Sequence, residues 1–289
     1  MKHLSLGLIG LLLTLSVASS AAQGQPVTLL AAGDIADCSS SGDEATAKLL
    51  EGKPGTIAAL GDLVYPGGSL ERYRKCYAPS WGRFLNRTRP ALGNHDVQDD
   101  GGAGYFAYFG ARAGTPGAGF YSYDLGSWRV IVLNSNCWMK AAGCTAGSPQ
   151  MRWLEATLKT DPRRCTVAYW HHPRYSSGPH GSSQTVKPLF EVLYRAGVDV
   201  ALAGHDHLYE RFAPMDASGN LDSDGGLRQF VVGTGGKSHY AARQVQPNSQ
   251  VRLENTDGIL ELTLETNGYA WRFVTTAGQA GDAGRGMCH

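Results

Sequence analysis

The chain has 289 residues, 42% of them hydrophobic and 18% charged, with 26 Lys+Arg against 25 Asp+Glu. A chain of that length buries roughly three-quarters of the surface its unfolded state exposes, enough for one large core. The balanced charge excludes a nucleic-acid binder that neutralises phosphates with a basic face, and also a highly charged disordered chain.

The predicted elements start with a leader. Residues 1–22 read as a secretory signal peptide: Lys2 and His3, an apolar stretch from Leu4 to Val17, then small residues Ala18 to Ala22 before Gln23-Gly24-Gln25-Pro26. The apolar run is shorter than the ~20 residues a membrane-spanning helix needs, and no cysteine follows it to carry a lipid. Cleavage after Ala22 predicts a secreted or periplasmic protein with no stable membrane anchor. Residues 23–289 then read as a single catalytic domain.

Five short apolar runs follow, each delivering polar residues at its end. Val27 to Ala32 leads into Gly33-Asp34, Thr56 to Leu60 into Gly61-Asp62, and Arg89 to Leu92 into Gly93-Asn94-His95-Asp96. Thr166 to Trp170 delivers His171-His172, and Val198 to Ala203 delivers Gly204-His205-Asp206-His207. Runs this short, and apolar throughout, predict strands buried on both faces. Open α/β sheets bind ligands at the carboxyl ends of their strands, so the five ends predict one shared site. Between them, Trp128 to Leu133 predicts another strand. Ser148-Pro149 predicts the start of a helix carrying Met151, Leu154 and Leu158, and Val186 to Ala196 predicts a second. Ile259 to Leu264 and Tyr269 to Val274 predict two strands joined at Asn267-Gly268. The pattern is mixed α/β with added antiparallel strands.

All six cysteines follow the expected cleavage point, and an even count in an exported chain predicts disulfides, with 15 possible pairings. Cys137 and Cys144 are close enough to close a small loop, and Cys288 is placed to tie down the tail. Cys38–Cys76 and Cys165–Cys288 then remain by elimination.

The strand ends present Asp34, Asp62, Asn94, His95, His171, His205 and His207, with Tyr65 close behind Asp62. Carboxylates, a phenol, an amide oxygen and imidazoles suit iron, zinc or manganese, and there are enough of them for two ions. A pair of ions clamps both oxygens of an in-line displacement, which points to phosphate ester hydrolysis.

Gly61-Asp62-Leu63-Val64-Tyr65, Gly93-Asn94-His95-Asp96, His171-His172-Pro173 and Gly204-His205-Asp206-His207-Leu208-Tyr209-Glu210-Arg211 resemble the calcineurin-like metallophosphoesterases. More narrowly they are similar to the purple acid phosphatase branch, in its small exported bacterial form. Gly233-Thr234-Gly235-Gly236 is similar to a turn of that branch. The resemblance implies a four-layer α/β/β/α sandwich of two mixed sheets. It implies one metal held by Asp34, Asp62, Tyr65 and His207, and a second held by Asp62, Asn94, His171 and His205. The phenolate of Tyr65 implies Fe(III) at the first position, and Fe(II), Zn(II) or Mn(II) is implied at the second. Ala36, where relatives carry His or Gly, leaves Tyr65 as the replacement ligand.

His95, helped by His180, is the implied group that steers phosphate and assists the leaving group. The side chains of His171 and His172 should diverge in an extended segment, so His172, with Asp96, is read as a neighbour that supports the ligands. The implied activity is hydrolysis of a small phosphomonoester by a metal-bridging hydroxide attacking in line. A phosphodiesterase or nucleotidase on the same metals is the alternative, and a non-catalytic phosphate- or metal-binding protein a remote one. Gly235-Gly236-Lys237-Ser238 is not a nucleotide loop, since Val231 stands where its first glycine is required. Gly101 to Gly104 reads as a mobile loop beside the pocket.

Overall fold

The computed structural model describes Met1 and residues 24–160 and 165–289. The segment read as a signal peptide lies, apart from Met1, outside the described residues. Strands and α-helices are numbered in chain order.

Two sheets form the body of the molecule. In the first, β1 (Val27–Ala32), β3 (Thr56–Ala59) and β5 (Thr88–Pro90) run parallel side by side. Antiparallel β13 (Gly258–Glu265), β14 (Gly268–Thr275) and β15 (Ala280–Met287) extend it from the far side of β1. In the second, β7 (Trp128–Val132), β8 (Thr166–Tyr169), β9 (Val200–Ala203) and β11 (Leu227–Val232) are parallel neighbours. Antiparallel β6 (Tyr121–Leu125) borders it on one side; β10 (Tyr209–Met215) and β12 (Ser249–Leu253) border it on the other. The two-residue strands β2 (Ala36–Asp37) and β4 (Val64–Tyr65) pair beside the first sheet.

Side-chain alternation sets the layers. Val130, Val132, Val167, Tyr169, Val200 and Leu202 face inward and share one core with Leu29, Ile57, Leu260 and Phe273 of the first sheet. The residues between them, Ile131, Ala168 and Ala201, face the other way. They pack on Met151 and Leu154 of α4 (Pro149–Thr160) and on Leu189, Phe190 and Leu193 of α5 (Lys187–Arg195). Period-2 alternation thus buries both faces of the central strands, which is why apolar residues dominate those runs. α1 (Gly42–Leu50) adds Ala47 and Leu50 to the core of the first sheet. The result is the expected sandwich of two mixed sheets with flanking helices.

Both predicted helices and the predicted hairpin are present. The turn at Gly101-Gly102 opens the short helix α3 (Ala103–Phe109). α2 (Leu70–Arg72) runs on into a π-helical turn, Tyr73–Tyr77. The disulfides are Cys38–Cys76, Cys137–Cys144 and Cys165–Cys288, which leaves no free cysteine. No helix among the described residues is long and apolar enough to cross a membrane.

Candidate metal centre

The carboxyl ends of β1, β3 and β5 meet those of β8 and β9 at one end of the sandwich. Three residues there adopt left-handed backbone conformations that non-glycine residues rarely use: Asp34 (φ 60°), Asp62 (φ 50°) and His205 (φ 74°). Such outliers cluster where the surrounding fold over-determines a functional geometry. The loops interlock to hold them. Asp34 N–H donates to Gly61 O at 3.0 Å and Lys237 N–H to Asp34 O at 3.0 Å, while His205 N–H donates to the Asp34 carboxylate at 2.8 Å.

Asp96 pins the Asp62 loop. Its buried carboxylate accepts from the backbone of Asp62 (2.8 Å), Leu63 (2.9 Å) and Gly93 (2.7 Å), and from the Tyr73 hydroxyl (2.6 Å). At Gly93 a Cβ would stand 2.1 Å from the Asp62 backbone and carboxylate, so only glycine lets the two loops approach this closely. His95 N–H then donates to Asp62 Oδ1 at 2.7 Å.

One carboxylate oxygen lies at the junction of two groups of side chains. Asp62 Oδ2 is 3.2 Å from the Tyr65 hydroxyl, which also lies 2.9 Å from Asp34 Oδ1 and 3.3 Å from His207 Nε2. On its other side Asp62 Oδ2 is 3.1 Å from His171 Nε2, which in turn is 3.2 Å from His205 Nδ1. His171 Nδ1 donates to Leu60 O at 2.8 Å, and His207 Nδ1 is 2.7 Å from the Ser238 hydroxyl. Both rings are therefore oriented through Nδ1 with Nε2 turned to the centre, the usual arrangement for a metal-ligating histidine. Asn94 Oδ1 is buried without a hydrogen-bond partner. An orphaned amide oxygen beside this donor set fits a hard or borderline cation.

The protein's own charges are strongly coupled here. Burial alone would push the Asp62 carboxyl up, but the adjacent His171 outweighs it and holds Asp62 well below the usual carboxylate range. Burial opposes protonation of His171, yet the Asp62 charge raises its pKa to about 9. Burial, with the charge of His171, drives His172 down to about 3 and His205 lower still. Burial raises the Tyr65 phenol well above its ordinary value, reinforced by Asp34 and Asp62.

Every site residue expected from the sequence is at this end of the molecule. His95 packs on Tyr65 with ring centres 4.5 Å apart, and its Nδ1 is 2.7 Å from Pro66 O. His180 is exposed, with its ring 4.3 Å from that of His205. Asp206 places that loop: its buried carboxylate accepts from the backbone N–H of His180 at 3.0 Å and from the Ser176 hydroxyl. One expectation fails. His171 and His172 do not diverge, because the chain bends past the end of β8; their rings are 5.0 Å apart and His172 lies 4.5 Å from His205. His172 Nδ1 is engaged by the Ser135 hydroxyl at 2.8 Å.

Sequence reasoning missed three residues that follow the Gly233–Gly236 turn. Lys237 pairs with Asp37 and lies 5.2 Å above the Tyr65 ring, and Ser238 orients His207. Tyr240 stacks on His207 at 4.1 Å with the planes 6° apart. The Lys-Ser pair that failed as a nucleotide motif was the available signal.

Comparisons with known proteins bear on the family and the fold. The model of the family described as calcineurin-like phosphoesterase matches residues 11–209. Purple acid phosphatase 21 of Arabidopsis thaliana is 30% identical over 214 residues, covering 65% of this chain and 47% of its own length. The Fe(3+)-Zn(2+) purple acid phosphatase 12 of the same plant is 31% identical over 186 residues, 55% of this chain and 38% of its own. The chain thus spans about half the length of the curated relatives it matches, or less. Among solved structures, purple acid phosphatase PPD1 from yellow lupin (Lupinus luteus) seeds superposes with a TM-score of 0.73 at 18% identity, over 91% of this chain and 54% of that one. GAP50, described as the anchor in the inner membrane complex of Plasmodium, gives 0.69 at 16% identity, over 91% of this chain and 89% of that one. Likeness at these identities speaks for the fold alone.

Proposed function

Since the chain belongs to the calcineurin-like phosphoesterase family, we propose that it is a metal-dependent hydrolase of small phosphomonoesters, exported and active as one catalytic unit spanning residues 23–289. The observation that carries this reading is the shared oxygen. Asp62 Oδ2 is common to an Asp34–Tyr65–His207 group and a His171–His205 group, with the unpartnered Asn94 oxygen beside them. Asp34, Asp62, Tyr65 and His207 would hold one metal ion, and Asp62, Asn94, His171 and His205 a second. Fe(III) at the phenolate position suits Tyr65, with Fe(II), Zn(II) or Mn(II) at the other; an Fe(3+)-Zn(2+) relative supports that choice. When bound, such a pair supplies an activated water and neutralises phosphate charge.

The protein's own residues do the rest. Asp96 fixes the Asp62 loop through its backbone donors, and Leu60 O and Ser238 fix the ring faces of His171 and His207. His95, held between Tyr65 and Pro66 O, stands at the rim as the group that delivers a proton to the departing oxygen. His180, placed by Asp206, stands over His205 on the opposite rim and orients the phosphate. Three disulfides support export to an oxidising compartment.

The test combines metal analysis and a visible absorption spectrum with hydrolysis of p-nitrophenyl phosphate and its bis-ester. Two metals per chain including iron, a phenolate-to-iron band and monoester turnover are expected. Two metals without the band would remove ferric iron from Tyr65, and preference for the bis-ester would make the protein a diesterase. Neither ester cleaved would leave a binding protein on this fold.

A further inference from the structure

A cavity of about 340 Å³, lined largely by charged and hydroxyl residues, adjoins the centre on the far side of Tyr65 and Pro66. Its size is at the small end of the range for ligand pockets, suited to a group about as large as a monosaccharide. His95 is the link between the two. Its ring lies on Tyr65 and its Nδ1 on Pro66 O, so a group leaving phosphate past His95 meets the Tyr65–Pro66 edge and then this cavity.

The wall has an unusual composition. Glu71 and Lys75 are four residues apart on the helical run that starts at α2, hence on one face, and both are exposed without an ion-pair partner among the described residues. Arg72 between them is neutralised by Asp99, and Asp37 on the facing loop by Lys237. Two cations, Arg72 and Lys75, and two carboxylates, Asp37 and Glu71, therefore line the cavity with Ser39 and Ser69, while Asp99 and Lys237 pair with Arg72 and Asp37 from outside it. The helix changes there from α to π geometry: Ala78 N–H donates five residues back, to Tyr73 O, at 2.8 Å. π-turns are rare and concentrate at functional sites.

We propose that this cavity is the leaving-group subsite and that it takes a neutral, polyhydroxylated group, making sugar and polyol monophosphates the preferred substrate class. Interleaved carboxylates and cations offer acceptors and donors together, which is what a run of hydroxyls can use. The exposed ring of Pro66 suits the C–H surface of a sugar ring. A second phosphate gains no net attraction from a wall of balanced charge, and a plain aryl group leaves the polar wall unpaired. The inference rests on the hydrolase reading for the position of the phosphate.

Two measurements on the metal-loaded full chain test it. The first is the ratio of kcat/KM for glucose 6-phosphate to that for phenyl phosphate, in the wild type and in the double variant Glu71→Leu, Lys75→Leu; both positions are exposed, so folding is preserved. The ratio should fall about tenfold, or ~1.4 kcal/mol. An unchanged ratio, or ATP cleaved in preference to glucose 6-phosphate, overturns the proposal. The second is calorimetric affinity for the non-hydrolysable phosphonate analogue of glucose 6-phosphate against inorganic phosphate, which needs no turnover. The analogue should bind about tenfold tighter in the wild type only; equal affinities overturn the subsite. Tighter binding without cleavage of any ester would break the hydrolase reading and leave the subsite standing.

Discussion

The centre has two unlike halves. The half built on the first sheet is anionic: Asp34, Asp62 and Tyr65 are held by backbone donors and an interlocked pair of loops. The half built on the second sheet is made of imidazoles, oriented one at a time through Nδ1 by Leu60 O or Ser238. The first half is fixed by backbone geometry, the second by single side-chain hydrogen bonds. They meet at Asp62 Oδ2, which faces His171, and at Asp34 and Tyr65, which face His205 and His207, so the centre exists only when the two sheets are in register.

The strongest way to break the contrast is at the junction. Asp62→Asn should reduce metal content of both halves together and lower turnover by more than ~100-fold, beyond the 10–100-fold cost of removing a residue that merely supports a ligand. Metal content by mass spectrometry beside steady-state kinetics checks this; full hydrolysis in the variant would rule out the bridge. Asp96→Asn attacks the backbone-held half from behind. Four donors lose a charged acceptor, and metal affinity should drop by about 10–100-fold, read by chelator competition. Tyr65→Phe sharpens the contrast: the visible band should vanish while the imidazole half still retains metal. Ser238→Ala touches one ring only, and the expected loss in kcat is about tenfold, with the melting temperature unchanged.

The smallest effect lies outside both halves. Burial raises the carboxyl of Asp43, which accepts from Ser80, to about 7, against ~3.9 for a free aspartate. With its folded pKa raised, Asp43 contributes stability that is complete below about pH 4 and lost as pH rises through 7. Asp43→Asn should therefore narrow the fall in melting temperature between pH 5 and pH 8 by roughly 2–4 °C, measured by calorimetry. An unchanged gap would mean the group ionises without cost.

The parallel strand ends were legible because burial on both faces leaves an uninterrupted apolar run and because ligand residues are rare after one. α4, α5 and the β13–β14 hairpin announced themselves by stripe, cap and turn. Strand β15 did not, since Ala280-Gly281-Asp282-Ala283-Gly284-Arg285-Gly286-Met287 has almost no β propensity. Its pairing depends on Trp271 of β14, whose ring lies where a Cβ on Gly284 would stand, 2.3 Å away, so the partner supplies the missing side-chain surface. The bend that turns His172 toward His205, and the return of Ser238 and Tyr240 to the site, are likewise tertiary. Each depends on a partner remote in sequence: Ser135 for His172, and β9's exit loop for the 237–240 segment.

Cys165 immediately precedes β8, and Cys288 follows β15, so their disulfide joins a central strand of one sheet to the edge of the other. It sits at the amino end of the same strand whose carboxyl end delivers His171. The two sheets are thus bound like the covers of a book along a spine, with the active surface at the open fore-edge. Closing a loop of sequence separation 123 restricts the unfolded chain by on the order of 5 kcal/mol. A newly made chain that has not yet been oxidised can build either cover, but it holds the two halves of the centre in register only through packing. The disulfide therefore backs, from the far end of β8, the register on which the centre depends.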